Sequence, residues 1–216
     1  MRKGEFCLIF VFVLLLSGCA TDGPRHAQPP DPARPLVLEG FSFLPPSETG
    51  WQQIQRSLYG AALAKQGLVA DESYAVQAML LRLPRFDSDA AFLAYSIHAI
   101  DNDTDPGRFK ILYNDDRLVA GPQGNCVRYV LKARDSDPLT VTGRHDPMLL
   151  EVVSFICRHP ENPEIGISLS YSKRYYQSGT VEDLMPAATG LFDSLRFTTL
   201  TRVGAGELPD GGNRGE

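Results

Sequence analysis

Cys126 and Cys157 set the first chemical question of this 216-residue chain, because a pair of thiols can oxidise to a disulfide, hold a metal, or supply an activated nucleophile. A reactive thiol is commonly held at low pKa in Cys-x-x-Cys spacing, which these two lack. Two histidines stand near enough in sequence to suggest a metal: His159, two residues after Cys157, and His145 in Gly143-Arg144-His145-Asp146-Pro147. Zinc needs three or four convergent ligands, and no regular ligand spacing is present. His159 therefore reads as a turn histidine bonded to backbone, His98 as a surface or boundary histidine, and His26 as part of a proline-rich stretch. No metal or other cofactor is expected. Residues 101–107, Asp-Asn-Asp-Thr-Asp-Pro-Gly, put carboxylates at alternate positions as the start of a calcium loop does. Pro106 occupies the place of the tight-turn glycine and Leu112 that of the bidentate Glu, so a solvated loop is the better reading and weak calcium binding the alternative.

Nucleophilic catalysis finds no Gly-x-Ser-x-Gly, and no phosphate-cradling or dinucleotide-binding glycine pattern occurs. The serines of Ser168-Leu169-Ser170-Tyr171-Ser172 alternate with apolar residues and are expected to face water. One basic and aromatic cluster stands out: Arg158, Lys173 and Arg174 with Tyr171, Tyr175 and Tyr176. Arginine and tyrosine are favoured anchors of interfaces, so this cluster is a candidate contact surface. Its plainer alternative is a strand end whose long side chains snorkel.

The last candidate is Cys19. Arg2 and Lys3 precede an apolar run from Phe6 to Leu16, followed by Leu16-Ser17-Gly18-Cys19. A positive start, a short apolar core and small residues at a cleavage point mark an export signal. Eleven apolar residues fall short of the ~20 needed to span a bilayer. The motif resembles the lipobox of bacterial lipoproteins, which implies that residues 1–18 are removed and that Cys19 becomes an acylated first residue. Several acyl chains would anchor the chain firmly, since one alone is marginal. By the same resemblance, Ala20 in place of Asp favours the outer membrane, with the protein facing the periplasm. Export also bears on the other thiols: an even pair in an oxidising compartment is expected to form a disulfide, stabilising by roughly 3–4 kcal/mol in the chain-entropy account.

Those groups need elements to hold them. Residues 20–35 contain five prolines and no large apolar side chain. That stretch reads as part of a lipidated tether over 19–35, able to reach roughly 50 Å when extended. Residues 203–216, with five glycines and four charges, read as a disordered tail. A single domain is expected over 36–202. Without residues 1–18 the chain keeps 19 basic and 25 acidic residues, a net charge of about −6 that gives no footprint for nucleic acid or anionic head groups.

Alternation predicts a strand over Ile165, Ile167, Leu169 and Tyr171, and others over 38–43, 74–83, 108–113, 126–133 and 149–157. Asn114-Asp115-Asp116, Asp135-Ser136-Asp137-Pro138 and Pro160-Glu161-Asn162-Pro163 read as joints between them. Asp87-Ser88 predicts a helix near 88–101 whose inner face carries Phe92, Leu93, Ser96, Ile97 and Ile100. A second helix follows Thr180 and carries Leu184, Leu191 and Leu195, with its regular part beginning at Met185 or Pro186. The expected class is α+β, an antiparallel sheet with flanking helices.

Phe41-Ser42-Phe43-Leu44-Pro45 leading to Gly50-Trp51, with the closing Leu191-Phe192-Asp193-Ser194-Leu195-Arg196-Phe197, resembles the PsbP/Mog1-type family, which implies an α/β/α sandwich. Cys157-Arg158-His159-Pro160 and Ser172-Lys173-Arg174-Tyr175 also resemble an uncharacterised family of bacterial envelope lipoproteins. Neither resemblance supplies a catalytic residue. The functional expectation is a non-enzymatic binding or assembly accessory of the envelope, joined to the membrane by lipid, with another envelope protein or a cell-wall component as partner. A hydrolase or metal-dependent enzyme whose residues converge only in space, and a surface adhesin, are the alternatives.

Overall fold

Hydrogen-bonded ladders are the main regular structure in a computed structural model that describes residues 29–178 and 182–202. The signal, Cys19, most of the tether, Thr180 and the tail lie outside those residues.

The chain opens with β1 (Leu36–Leu38) and β2 (Phe41–Phe43), joined by a turn at Glu39-Gly40. Gly40 has φ 76°, a left-handed conformation that costs glycine least. The single strand expected over 38–43 is thus a hairpin. Then follow β3 (Gln52–Arg56), β4 (Gly60–Gln66), β5 (Ser73–Arg82), α1 (Asp89–Asp103), β6 (Phe109–Gly121), β7 (Gly124–Asp135), β8 (Met148–Arg158), β9 (Ile165–Tyr176), α2 (Met185–Asp193) and β10 (Arg196–Phe197). Seven strands form one antiparallel sheet in the order β3-β4-β5-β9-β8-β7-β6, and β1-β2-β10 form a smaller one. The class is α+β, mostly antiparallel sheet with two helices.

Alternation along the strands gives the large sheet two distinct faces. One carries Val76, Ala78, Val153, Phe155, Ile167, Leu169 and Tyr171, which pack with the small sheet's Phe41 and Phe43 and with Ala188, Leu191 and Phe192 of α2. Phe155 stacks on Phe192 with ring centroids 4.0 Å apart. The other carries Val127 and Ile156, which pack with Phe92 of α1 and, at its margin, Leu93 and Leu118. Ser88 caps α1, its hydroxyl accepting from the Ala91 N–H at 3.1 Å. Proline begins α2 as expected, where its missing N–H costs nothing.

β9 is the element whose alternation was clearest and whose environment was not. It lies between β5 and β8, and Ser168 and Ser170 are buried rather than turned to water. Ser168 stands in register between Met79 and Ile156, and Ser170 between Gln77 and Ser154, its hydroxyl donating to the Gln77 carbonyl at 3.4 Å. Asn114-Asp115-Asp116, expected as a joint, continues β6 through to Gly121. A strand at the margin of the sheet keeps one side in water and tolerates such charge.

Candidate interaction surface

Cys126 and Cys157 are direct partners across β7 and β8, with sulfurs 2.14 Å apart, at disulfide-bonding distance. The pair lies in the core against Ile165 and Ile167. Gly121 completes this environment, because a Cβ there would stand 2.2 Å from the Cys126 sulfur.

The basic and aromatic cluster divides between the two faces, as period two requires. Tyr171, Lys173 and Tyr175 project from one face and are buried; Arg158, Arg174 and Tyr176 project from the other. Arg158 pairs with Asp89 at the start of α1 and lies over Phe92. Arg174 sits 3.4 Å from Asp135, which also receives two bonds from Arg108 at 2.8 and 2.9 Å. The Tyr176 hydroxyl donates to Asp71 at 2.8 Å. These six residues are not brought together as one surface.

The histidines also part company. His159 is buried at the end of β8; its Nε2 lies 3.0 Å from the carbonyls of both Gly40 and Thr198, and its Nδ1 accepts the Glu161 N–H at 3.2 Å. This is the backbone-bonded turn histidine of the sequence reading. A cavity of about 270 Å³ beside it is lined by Gln123, Pro160, Glu161 and residues 197–199. His145 is exposed in the loop before β8 begins. Eleven residues of β8 separate the two, some 35 Å of extended chain. His98 is exposed on α1, and its Nε2 accepts the Asn102 side-chain N–H at 3.1 Å.

Asp101 and Asn102 belong to the last turn of α1, so the alternate carboxylates expected for a calcium loop are partly helical. Asp105 instead bonds the Gly107 N–H at 2.8 Å. Among the described residues no group of three or more His, Cys, Asp or Glu side chains is placed to hold a metal.

What the sequence did not reveal is a lateral row of polar side chains. Tyr113, Lys132, Glu151, Lys173, Tyr74 and Lys65 are register partners on successive strands from β6 to β4. Lys132 meets Glu151 at 2.6 Å, and the Tyr175 hydroxyl donates to the same carboxylate at 2.6 Å. The Lys132 ammonium is held above its ordinary pKa chiefly by the Glu151 hydrogen bond. Lys173 lies over Tyr74 and Tyr175, and Lys65 over Tyr74 and Trp51. Burial, then the bond to Glu182, raises the Tyr74 phenol well above its usual range. Within the row Lys132 and Glu151 neutralise each other, while Lys65 and Lys173 lie over its aromatic rings.

The row opens to solvent at β6, which among the described residues has one hydrogen-bonded neighbour, β7. Ile111, Leu112 and Tyr113 at the start of that strand are exposed at 43, 49 and 54%. Beyond them the strand is charged: Asp115 pairs with Arg117 and with Arg128, the latter at 2.6 Å. Exposed apolar residues on an edge strand are unusual, and such an edge is a template on which another chain can pair. No known protein family and no curated protein matches this chain.

Proposed function

We propose that the chain is a lipid-anchored bacterial envelope lipoprotein whose domain acts as a non-enzymatic binding or assembly module. Cys19 carries the lipid, residues 19–35 form the tether, and the anchor holds the domain at the outer membrane facing the periplasm. His145 and His159 lie at opposite ends of β8, so these two residues do not share a pocket. The observation that carries the binding reading is the place of β6 at the end of the strand order among the described residues, where exposed Ile111, Leu112 and Tyr113 suit an extended segment of a partner protein.

A PsbP/Mog1-like α/β/α layering belongs to the same proposal. Helices α1 and α2 pack against opposite faces of the large sheet, and the two segments that carry the resemblance pair as β2 and β10. Crosslinking in the native envelope, followed by mass spectrometry, tests the function. The expected result is one dominant partner joined near residues 111–113, lost in a Leu112→Asp chain; scattered products that ignore this substitution would refute a partner at that edge.

A further inference from the structure

The end of α1 lies over β6 and β7, and the acidic side chains at that crossing meet no cation among the described residues. Asp116 faces the helix side of the sheet: its register partner is Tyr129, and Leu118, two residues on, joins Ile100 of α1 around Val127. Ile100 also packs on the cluster of Tyr129, Leu131 and Ala133, which sets the next helical residue, Asp101, above the Asp116–Tyr129 pair. Directly opposite residues of an antiparallel pair have Cβ atoms about 5 Å apart, so the Asp116 carboxyl and the Tyr129 ring are neighbours.

Three acceptors are left open at this corner. Asp116 Oδ2 takes the Asn114 side-chain N–H at 3.4 Å, but its buried Oδ1 has no hydrogen-bond partner among the described residues. Tyr129 is 6% exposed, and its hydroxyl makes no hydrogen bond to a described residue. Asp101 is exposed and forms no ion pair with a described residue. Burial, then Asp101, raises the Asp116 pKa; burial, then Asp116 and Asp101, raises that of the Tyr129 phenol, so the three groups act chiefly on one another. Nearby cations are already taken. Arg108 and Arg174 meet Asp135, while Arg117 and Arg128 meet Asp115, whose side chain alternates to the opposite face of the sheet.

We propose that this corner receives a primary ammonium, the side chain of a lysine in the segment that pairs with β6. This rests on the β6 edge reading above. A strand added along β6 sets one residue beside Asp116 on the same face, about 5 Å away, within easy reach for a four-carbon stem. The open acceptors select the group. An ammonium has three diverging donors, which match Asp116 Oδ1, the Tyr129 hydroxyl and Asp101. A guanidinium fork seeks both oxygens of one carboxylate, and Asn114 already holds Oδ2. A hard divalent cation takes about six oxygens or more, whereas this corner has two carboxylates and a phenol kept protonated.

Melting of the full chain in methylammonium chloride, against tetramethylammonium chloride at equal concentration, tests the corner, because the second salt carries the charge without N–H donors. The expected result is a melting temperature several degrees higher in methylammonium, a gain removed by Asp116→Asn and cut by Tyr129→Phe. Equal melting in the two salts, or a gain from calcium chloride and none from methylammonium, overturns the site. Carbodiimide coupling in the native envelope, which joins a carboxylate to an amine in contact with it, tests the source. An amide from Asp101 or Asp116 to a lysine of the protein captured near residues 111–113 is the expected result. Capture there without such an amide overturns the lysine and leaves the edge reading standing. A methylammonium gain with no protein captured overturns the partner lysine together with the edge reading, and makes a free aliphatic amine the ligand.

Discussion

Asp135 stands in Asp135-Ser136-Asp137-Pro138, reads as a turn residue, and is fully buried between Arg108 and Arg174. Turn chemistry was legible, because β7 does end there; the two arginines that converge on the carboxylate, from positions 27 and 39 residues away, were not. Removing one partner of a buried ion group costs about 3–5 kcal/mol, because the remaining charge is stranded. Asp135→Ala should lower stability by that order in urea unfolding, and Arg108→Lys by less. Asp71 shows the same limit of legibility. Burial alone would raise its pKa, but hydrogen bonds from Thr142, Tyr176 and Val141 outweigh this and hold it below the usual carboxylate range. A depressed folded pKa contributes stability above the unfolded value and loses it as pH falls through the folded one. Protection of the Val141 and Thr142 amides against hydrogen exchange should therefore persist at neutral pH and collapse in acid, and Asp71→Asn should abolish that dependence. Asp116 has the opposite sign. Burial, then Asp101, raises its pKa, and its buried Oδ1 has no hydrogen-bond partner. Asp116→Asn should raise the melting temperature at neutral pH, with the gain vanishing as acid protonates the native carboxyl.

At the scale of elements, apolar rhythm was the reliable signal. It marked β5, β7, β8 and β9 to within a few residues, and Ser88 and the early proline marked α1 and α2. β3 and β4 escaped notice for a physical reason: Gln52–Arg56 is polar at a free sheet margin, and Gly60–Gln66 is built on small alanines with weak strand preference. Face identity escaped as well. Ser168 and Ser170 look like a solvent face until the strand order sets β9 between β5 and β8, with α1 packed on that side of the sheet. Two contacts carry the joining of elements and can be measured. The Cys126–Cys157 link closes a sequence separation of 31 residues, and its removal as a double Cys→Ala chain should cost roughly 3–4 kcal/mol. Gly121→Ala should strain the same place, since the added carbon meets the Cys126 sulfur and the Gly124 carbonyl. Phe192→Ala would empty the stack that seats α2 on Phe155, costing about 3–5 kcal/mol.

For the whole molecule, the candidate interaction surface was the least legible feature. A sequence shows that Ile111-Leu112-Tyr113 is apolar, but only the strand order shows that these residues lie on the last strand of the large sheet among the described residues. The basic and aromatic cluster failed as a surface for the converse reason: consecutive residues of one strand face opposite ways. The proposed function puts the domain on a tether from a lipidated Cys19, so the mass of the N-terminal peptide of the protein taken from native membranes is the direct measurement. A peptide beginning at Cys19, heavier by a thioether-linked diacylglycerol and an amide-linked acyl chain, is the predicted result. A peptide that retains residues 1–18, or that begins at an unmodified residue, would contradict the account.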